Sequence, residues 1–227
     1  MAKRGRRASK DRNELRAPAQ TRSRESMETL LDIGRRLIEE RGIDDCSMSD
    51  VAAAAGSSIG SLYFRFGNRE QFINEVMQRH IAAGRTSFEG FVAELAASTK
   101  EPDEIIAAVT RWMVHVFAHN QGLLRAQLRR ALENPQVWRP YQDLARLVVD
   151  ELIKLLARCP ELGVDPDWQH HVRIAMQIVF GTLNNILINR PGPLELDDPR
   201  TADELSKAAV RYLRLERVQT GKRKGAS

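Results

Sequence analysis

The sequence is poor in cysteine and has no long apolar run, and each shortage narrows the class of protein. Cys46 and Cys159 are the only cysteines in 227 residues. They show no disulfide or ligand spacing, so neither a disulfide scaffold nor a cysteine metal site is expected. No apolar stretch reaches membrane-spanning length, and the basic N-terminus leads into no apolar signal segment. These absences predict a cytoplasmic protein without a transmembrane helix.

Catalytic motifs are missing as well. Residues 101–217 contain no nucleophile elbow, phosphate-binding loop, HExxH sequence or paired carboxylates. The five histidines form no ligand pattern, and the adjacent His170 and His171 point to different sides of a helix. An enzyme is therefore the least favoured class, and we expect no catalytic residues, no metal site and no cofactor.

Alternation of apolar and polar residues is too short anywhere in the sequence to predict a strand. Apolar residues instead recur at the spacing of a helix along the chain. Pro102 is typical of a first helical turn. Further helices are predicted over residues 121–133, 135–158, 167–189 and 201–217. The fold class is therefore predicted to be all-α.

Residues 46–70 predict a helix, a glycine turn and a second short helix. Ser47 and Asp50 have the spacing of a capping box, which indicates a helix that starts directly after Ser47. Gly56 would end this helix, and Ser57 and Ser58 would supply the tight turn and a side-chain oxygen that can cap the next helix. The arrangement is typical of a helix-turn-helix, which places its second helix in a DNA groove.

The second short helix exposes an unusual set of side chains. Leu62 and Phe66 are the natural inward residues, so hydroxyl and aromatic side chains project outward. Such hydroxyls suit phosphate oxygens, and Ile59 or Gly60 at the helix start permits close approach to base edges or a thymine methyl. The competing interpretation is a plain helical hairpin with its aromatic residues packed inside. The outward residues are Ser61, Tyr63, Phe64 and Arg65.

Residues 27–76 resemble the DNA-binding domain of the tetracycline-repressor (TetR) family. The matching positions are Ala55, Gly56, Ser58, Gly60, Ser61, Leu62, Tyr63 and Phe66. The resemblance implies a three-helix DNA-binding domain and a larger C-terminal helical domain for ligand binding and dimerisation. It also implies the DNA-binding residues Ser47, Ser58, Ile59, Gly60, Ser61, Tyr63, Phe64, Arg65 and Arg69. Ser49, Ser57 and Ile59 depart from the family's pattern, which affects the expected base readout.

Positive charge is concentrated at the two ends of the chain. Residues 1–24 carry nine basic and two acidic residues, and residues 211–227 carry six basic and one acidic. The polar, basic composition of residues 1–21 predicts a disordered arm that either neutralises DNA phosphates or merely aids solubility. The predicted domains are this arm, a DNA-binding domain over 22–82, an effector-binding and dimerisation domain over 83–217, and a basic tail over 218–227.

The helix predicted over residues 167–189 is apolar on more than one face, as expected for burial from several sides. In the resembled family the last two long helices form a dimer bundle, and the alternative is the centre of a monomer core. Apolar residues with a few polar neighbours in this domain suit a small lipophilic effector, although they also suit a plain core. The candidate ligand-binding residues are Trp112, Met113, His115, Val116, Trp138, Tyr141, Met176, Phe180 and Asn184.

The sequence thus favours a transcriptional regulator that binds double-stranded DNA as a homodimer. We expect a repressor that a small lipophilic effector releases from a pseudo-palindromic operator. A DNA-binding regulator controlled by a protein partner or by abundance, without any effector, fits the N-terminal residues equally well.

Overall fold

The computed structural model describes residues 7–98, 100–159 and 165–215, and side chains from Arg24 onward. Within these ranges the chain is helical and has no strand, which confirms the all-α prediction. The described elements are α1 (Arg7–Arg41), α2 (Met48–Ala54), α3 (Ile59–Phe66), α4 (Arg69–Ala96), α5 (Pro102–His119), α6 (Gln121–Glu133), a 3-10 helix (Pro135–Trp138), α7 (Arg139–Leu156), α8 (Trp168–Asn189) and α9 (Pro199–Tyr212).

The chain divides into two compact units, Met1–Ala82 and Ala83–Ser227. In the first unit α1 and α4 approach closely at Gly34, where an added Cβ would lie only 2.4 Å from Cζ of Phe72. Phe72 also meets Phe66 of α3 edge to face, with ring centroids 4.9 Å apart. This aromatic contact fixes the buried end of α3 against α4, and it leaves the opposite side of α3 facing outward.

The N-terminus of α1 differs from the expected arm. The sequence predicts disorder over residues 1–21, whereas the backbone is helical from Arg7. Most residues between Arg7 and the packed part of α1 are good helix formers, and elongation adds one hydrogen bond per residue once a helix is nucleated. The helix passes through Pro18 despite the missing backbone donor. Residues 1–6 and the predicted tail over 218–227 lie outside the described residues.

The second unit is a bundle in which α5 packs on α9, α7 and α8. Pro102 occupies the first turn of α5, and Glu101 and Glu104 form a reciprocal capping box there. Ser206 of α9 is buried; its hydroxyl donates to the carbonyl of Ala202 at 2.6 Å and lies 3.4 Å from the carbonyl of Ala107 on α5. Small residues at this contact let the two helices lie close together.

Two of the predicted helices change at their boundaries. The helix expected over 135–158 is a 3-10 turn followed by α7, because Pro135 and Pro140 lack the backbone donors that a continuous helix needs. The last helix starts at Pro199 and ends at Tyr212, before the predicted residue 217.

Candidate nucleic-acid interface

The turn that precedes the interface is held by side-chain caps. The backbone N–H of Asp50 donates to Oγ of Ser47 at 3.1 Å, and the N–H of Ser47 donates to the Asp50 carboxylate at 3.2 Å. The Ser47 hydroxyl also donates to the Asp50 carboxylate, and this hydrogen bond, together with the one from the Ser47 N–H, lowers the pKa of Asp50. Gly56 then ends α2 with a φ of 60°, a conformation that glycine adopts without strain. The capping box and glycine stop predicted from the sequence are both confirmed.

Helix α3 begins at a serine cap and turns one side outward. Oγ of Ser58 accepts from the N–H of Ser61 at 3.2 Å. Leu62 is fully buried, whereas Phe64 is 93% exposed. Because successive residues lie about 100° apart around a helix, Phe64 is roughly opposite the buried side. Ile59 and Tyr63 are each 45% exposed, which rules out a hairpin with the aromatic residues packed inside.

Gly60 completes this outward surface, which we call the α3 face: Ile59, Gly60, Tyr63 and Phe64. Gly60 lies one turn before Phe64, and an added Cβ at this position would meet nothing within 4 Å. A helical glycine is less stable than alanine by about 1 kcal/mol. The packing of the chain itself therefore gives no reason for a glycine at this position.

The remaining predicted contact residues take different positions. Ser58 and Arg65 are exposed, and Ser47 and Ser61 are half-buried. Arg69 is half-buried at the start of α4, where Nε donates to the carbonyl of Cys46 at 3.0 Å and an Nη donates to the carbonyl of Ile43. The structure thus gives Arg69 a role that the sequence did not predict, because it holds the loop between α1 and α2. The predicted phosphate contact of Arg69 would need its other donors.

The charge around the α3 face is not strongly basic. Residues 25–85 carry seven basic and ten acidic residues. Some of the arginines in this range are paired, as in the contact between Arg79 and Asp32 at 3.5 Å. Electrostatic attraction to DNA would therefore draw strongly on the nine basic residues at positions 1–24.

Several of the residues predicted to bind an effector belong to the hydrophobic core of the second unit or pack against it. Met113 and Met176 are 1% and 0% exposed. The Trp112 ring packs against Phe88, with centroids 4.9 Å apart. The ring of Trp138 stacks on that of Tyr141 at 4.8 Å. His115 is exposed, and Val116, Phe180 and Asn184 are half-buried.

Among the described residues of the second unit, two side-chain polar atoms are buried without a hydrogen bond. They are Oγ1 of Thr110 on α5 and Oδ1 of Asn184 on α8. A buried acceptor or hydroxyl that lacks a partner is unfavourable by about 1–3 kcal/mol. Asn184 was a predicted ligand residue and Thr110 was not, since a threonine within an apolar helical pattern gives no sequence signal.

A second exposed surface lies along α8. Ile178 and Ile188 are 50% and 57% exposed, although most of α8 is buried on its other sides. They belong to a row with alternating spacings of four and three residues, which places all members on one side of a helix. This row, the α8 stripe, comprises Ile174, Ile178, Gly181, Asn185 and Ile188. Sequence reasoning missed the stripe because α8 is apolar on several sides.

Within the described ranges, no three His, Cys, Asp or Glu side chains are grouped as metal ligands. None of the described helices is both long and apolar enough to cross a bilayer.

The fold and the α3 face define an all-helical protein with an N-terminal helix-turn-helix unit. Residues 30–76 match the family described as "Bacterial regulatory proteins, tetR family". Over 49 residues the chain is 41% identical to the HTH-type transcriptional repressor KstR2 of Rhodococcus jostii, a match that covers 22% of this chain and 24% of KstR2. The matched segment is thus about a quarter of that relative's length.

Solved structures show a likeness of fold over a larger part of the chain. A crystal structure from Mesorhizobium loti, named as a TetR-family transcriptional regulator, has a TM-score of 0.66 and 17% identity, over 86% of this chain and 96% of that one. The regulator FadR of Bacillus subtilis, solved in complex with stearoyl-CoA, has a TM-score of 0.58 and 18% identity, over 81% and 97% of the chains. The tetR-family match is therefore confined to residues 30–76, and the solved structures show that the rest of the chain shares their fold. The match over residues 30–76 agrees with the predicted helix-turn-helix segment of a regulatory protein.

Proposed function

We propose that the protein is a sequence-specific DNA-binding regulator whose α3 face enters the major groove of its operator. The observation that carries this proposal is the exposure of Phe64, Tyr63 and Ile59 around a glycine that intramolecular packing does not require. Exposed aromatic residues on a short helix are unfavourable in water unless the surface has a binding role. The similarity of the N-terminal segment to a repressor supports repression as the outcome of binding.

The hydroxyl groups and helix ends near α3 would supply phosphate contacts. Ser58 caps the start of α3 and Tyr63 lies in its second turn, and both are exposed. Hydroxyls and backbone N–H groups commonly bind DNA phosphates and fix the register of the protein on the duplex. Residues 1–21, with seven basic residues, would add sequence-independent attraction.

We further propose that the α8 stripe joins two copies of the chain about a twofold axis. One short helix reads few base pairs, so a dimer that presents two copies of α3 explains how a palindromic operator is recognised. Ile178 and Ile188 are exposed aliphatic residues that a second copy would bury. Leu183, by contrast, is fully buried within its own chain and lies outside the stripe.

The proposed effector is a small lipophilic molecule that binds within the second unit. The unpaired Oγ1 of Thr110 and Oδ1 of Asn184 support this proposal, because a ligand with a polar group would satisfy them. The structural neighbour FadR was solved with stearoyl-CoA. Preferential binding of an effector to a conformation that does not bind DNA would release the operator.

The alternative is a regulator without an effector. It is favoured by Met113 and Met176, which are fully packed in the core and were expected to line a pocket. The two candidates differ in one measurement, the affinity for an operator duplex with and without stearoyl-CoA and shorter lipophiles. Release at stoichiometric concentrations supports the effector, and unchanged affinity across the series supports the alternative.

The test of DNA binding itself is selection from random duplex DNA with the full-length chain. We expect an enriched motif with two inverted half-sites. The Phe64→Ala variant should enrich a motif with a weaker preference at one position of each half-site while it retains its thermal unfolding midpoint. Failure to enrich any sequence would contradict the proposed function.

A further inference from the structure

The α3 face has almost no hydrogen-bonding groups with which to read bases. Ile59 and Phe64 have none, Gly60 has no side chain, and Tyr63 has a single hydroxyl. Serine offers little more, because Oγ of Ser58 already caps α3 through the N–H of Ser61. Asparagine and glutamine, which read adenine with two hydrogen bonds, are absent from α3, and Arg65, which could pair with guanine in this way, lies outside the α3 face.

Thymine is the base that an apolar surface can select. In the major groove the four bases differ in their donors and acceptors, and thymine alone adds an apolar C5 methyl group. We infer that α3 selects thymine in each half-site through contact of Ile59 and Phe64 with C5 methyl groups. This inference rests on the proposed DNA-binding function and adds the chemistry by which the operator is recognised.

The exposure of the two side chains fits this chemistry. Phe64 is 93% exposed and Ile59 is 45% exposed, so both have apolar area that a methyl group could cover. They lie five residues apart, near the two ends of the outward side of an eight-residue helix. We therefore assign them to different base pairs of one half-site.

Gly60 permits the close approach that methyl contacts need. Dispersion attraction is appreciable only when carbon atoms lie about 3.5–4 Å apart, so the helix must sit deep in the groove. Gly60 lies between Ile59 and Phe64 on this face, and a Cβ added there would point into open space. Alanine at position 60 would therefore fit the folded chain and would obstruct only an external partner.

The first experiment isolates the methyl group. Duplexes that carry the motif selected by the full-length chain are prepared with each thymine replaced in turn by deoxyuridine, which removes the C5 methyl and keeps every hydrogen-bonding group. Removal of a buried methyl group weakens binding by about fourfold, from about 0.8 kcal/mol for each buried carbon. We expect this loss at one or two thymines of each half-site.

Two variants test whether Ile59 and Phe64 make these methyl contacts. With Ile59→Ala, one position should lose its sensitivity to deoxyuridine, and with Phe64→Ala another should do so. Both residues are exposed, so both variants should keep the wild-type unfolding midpoint. An effect of deoxyuridine that persists in both variants would overturn the assignment, since it would come from altered DNA stiffness or from other residues.

The glycine provides a second and independent measurement. Gly60→Ala should raise the unfolding midpoint, because alanine is the better helix former, and should weaken binding to the selected duplex severalfold. Gly90→Ala is the matched control, since Gly90 is also helical and its added Cβ also meets nothing within 4 Å. It should raise the midpoint and leave binding unchanged.

The failure of this inference differs from the failure of the proposed function. If no duplex is enriched, the DNA-binding proposal itself fails. If a motif is enriched but lacks thymine, or tolerates deoxyuridine at every thymine, DNA binding stands and methyl recognition is wrong. Base recognition would then pass to Arg65 or to residues 1–21.

Discussion

Helices α3 and α8 both leave large apolar side chains exposed, but the two surfaces differ in length and chemistry. Helix α3 has eight residues and combines aromatic rings, a phenol and a glycine. Helix α8 has 22 residues, and its stripe combines isoleucines with a glycine and an asparagine at heptad-like spacing. A short aromatic surface suits a DNA groove, whereas a long aliphatic stripe suits a second helix of the same kind. Exposed apolar area therefore indicates binding, and its length and chemistry indicate the partner.

The largest effect is expected from a charge placed on the α8 stripe. Ile178→Asp would bury two unpaired carboxylates in a twofold interface, and we expect the dimer dissociation constant to rise more than about 100-fold, or about 3 kcal/mol. Analytical ultracentrifugation over a concentration series measures this change. Leu132→Asp is the control, because Leu132 is 87% exposed on α6 and is not part of the stripe.

Persistence of the dimer in Ile178→Asp would show that α8 does not join the subunits. The proposed dimer role of the α8 stripe would then be wrong, whereas the proposed DNA-binding role of the α3 face would be unaffected.

The next prediction concerns the support of the α3 face. Arg69→Ala removes the hydrogen bonds to the carbonyls of Cys46 and Ile43, and we expect the free energy of unfolding to fall by about 2 kcal/mol. Arg79→Ala, on the same helix, removes only a surface ion pair with Asp32 and should change stability by less than about 1 kcal/mol. Urea unfolding of both variants provides the test. If the two variants have the same free energy of unfolding, the hydrogen bonds of Arg69 to the loop do not stabilise the unit. The predicted phosphate contact would then be the only role left for Arg69.

Acid should weaken the unit that carries α3. Burial, with a smaller contribution from Arg35, lowers the pKa of His80 from 6.5 to about 4. The unfolded chain therefore takes up a proton near pH 6.5 that the folded chain takes up only near pH 4. The contribution of His80 to the free energy of unfolding should therefore fall as the pH drops from 6.5 towards 4, and the loss should be about 2 kcal/mol at pH 5.

Urea titrations at pH 8 and pH 5 measure this difference for wild type and for His80→Gln. The variant should show a smaller loss of stability on acidification than wild type. The same loss in both proteins would mean that His80 titrates normally in the folded chain.

The smallest of these effects is expected at Tyr63. Tyr63→Ala should weaken binding to specific and random duplexes alike by about 1–2 kcal/mol, as expected when a hydrogen bond to phosphate is lost. Tyr63→Phe keeps the ring and should reproduce most of the loss if the hydroxyl provides the contact. Unchanged affinity in a folded Tyr63→Ala variant would show that Tyr63 does not contact the backbone.

The local features of the interface could be predicted from the sequence, because short-range rules determine them. The capping box of Ser47 and Asp50, the stop at Gly56 and the burial of Leu62 all depend on residues within a few positions. Arg69 could not be assigned in this way, since its hydrogen bonds reach Cys46 and Ile43, 23 and 26 residues earlier. Contacts over such separations depend on how the helices pack.

In the second unit, the amino-acid composition does not distinguish a ligand pocket from a packed core. Trp112 and Met113 have the composition of a pocket, yet the same composition serves a core, and only packing against Phe88 and its neighbours distinguishes them. The spacing of the α8 stripe is present in the sequence and could have been recognised there. It was obscured because residues on the buried sides of α8, such as Met176 and Leu183, are equally apolar.

Binding to duplexes with altered half-site spacing tests most directly whether α3 reads DNA while α8 joins two copies. Insertion of about five base pairs between the selected half-sites rotates one of them to the opposite side of the duplex, about half a helical turn away. We predict that wild-type affinity falls to that for a single half-site, and that Ile178→Asp binds both duplexes equally weakly. Equal wild-type affinity for the two spacings would contradict a dimer that presents its recognition helices at a fixed distance.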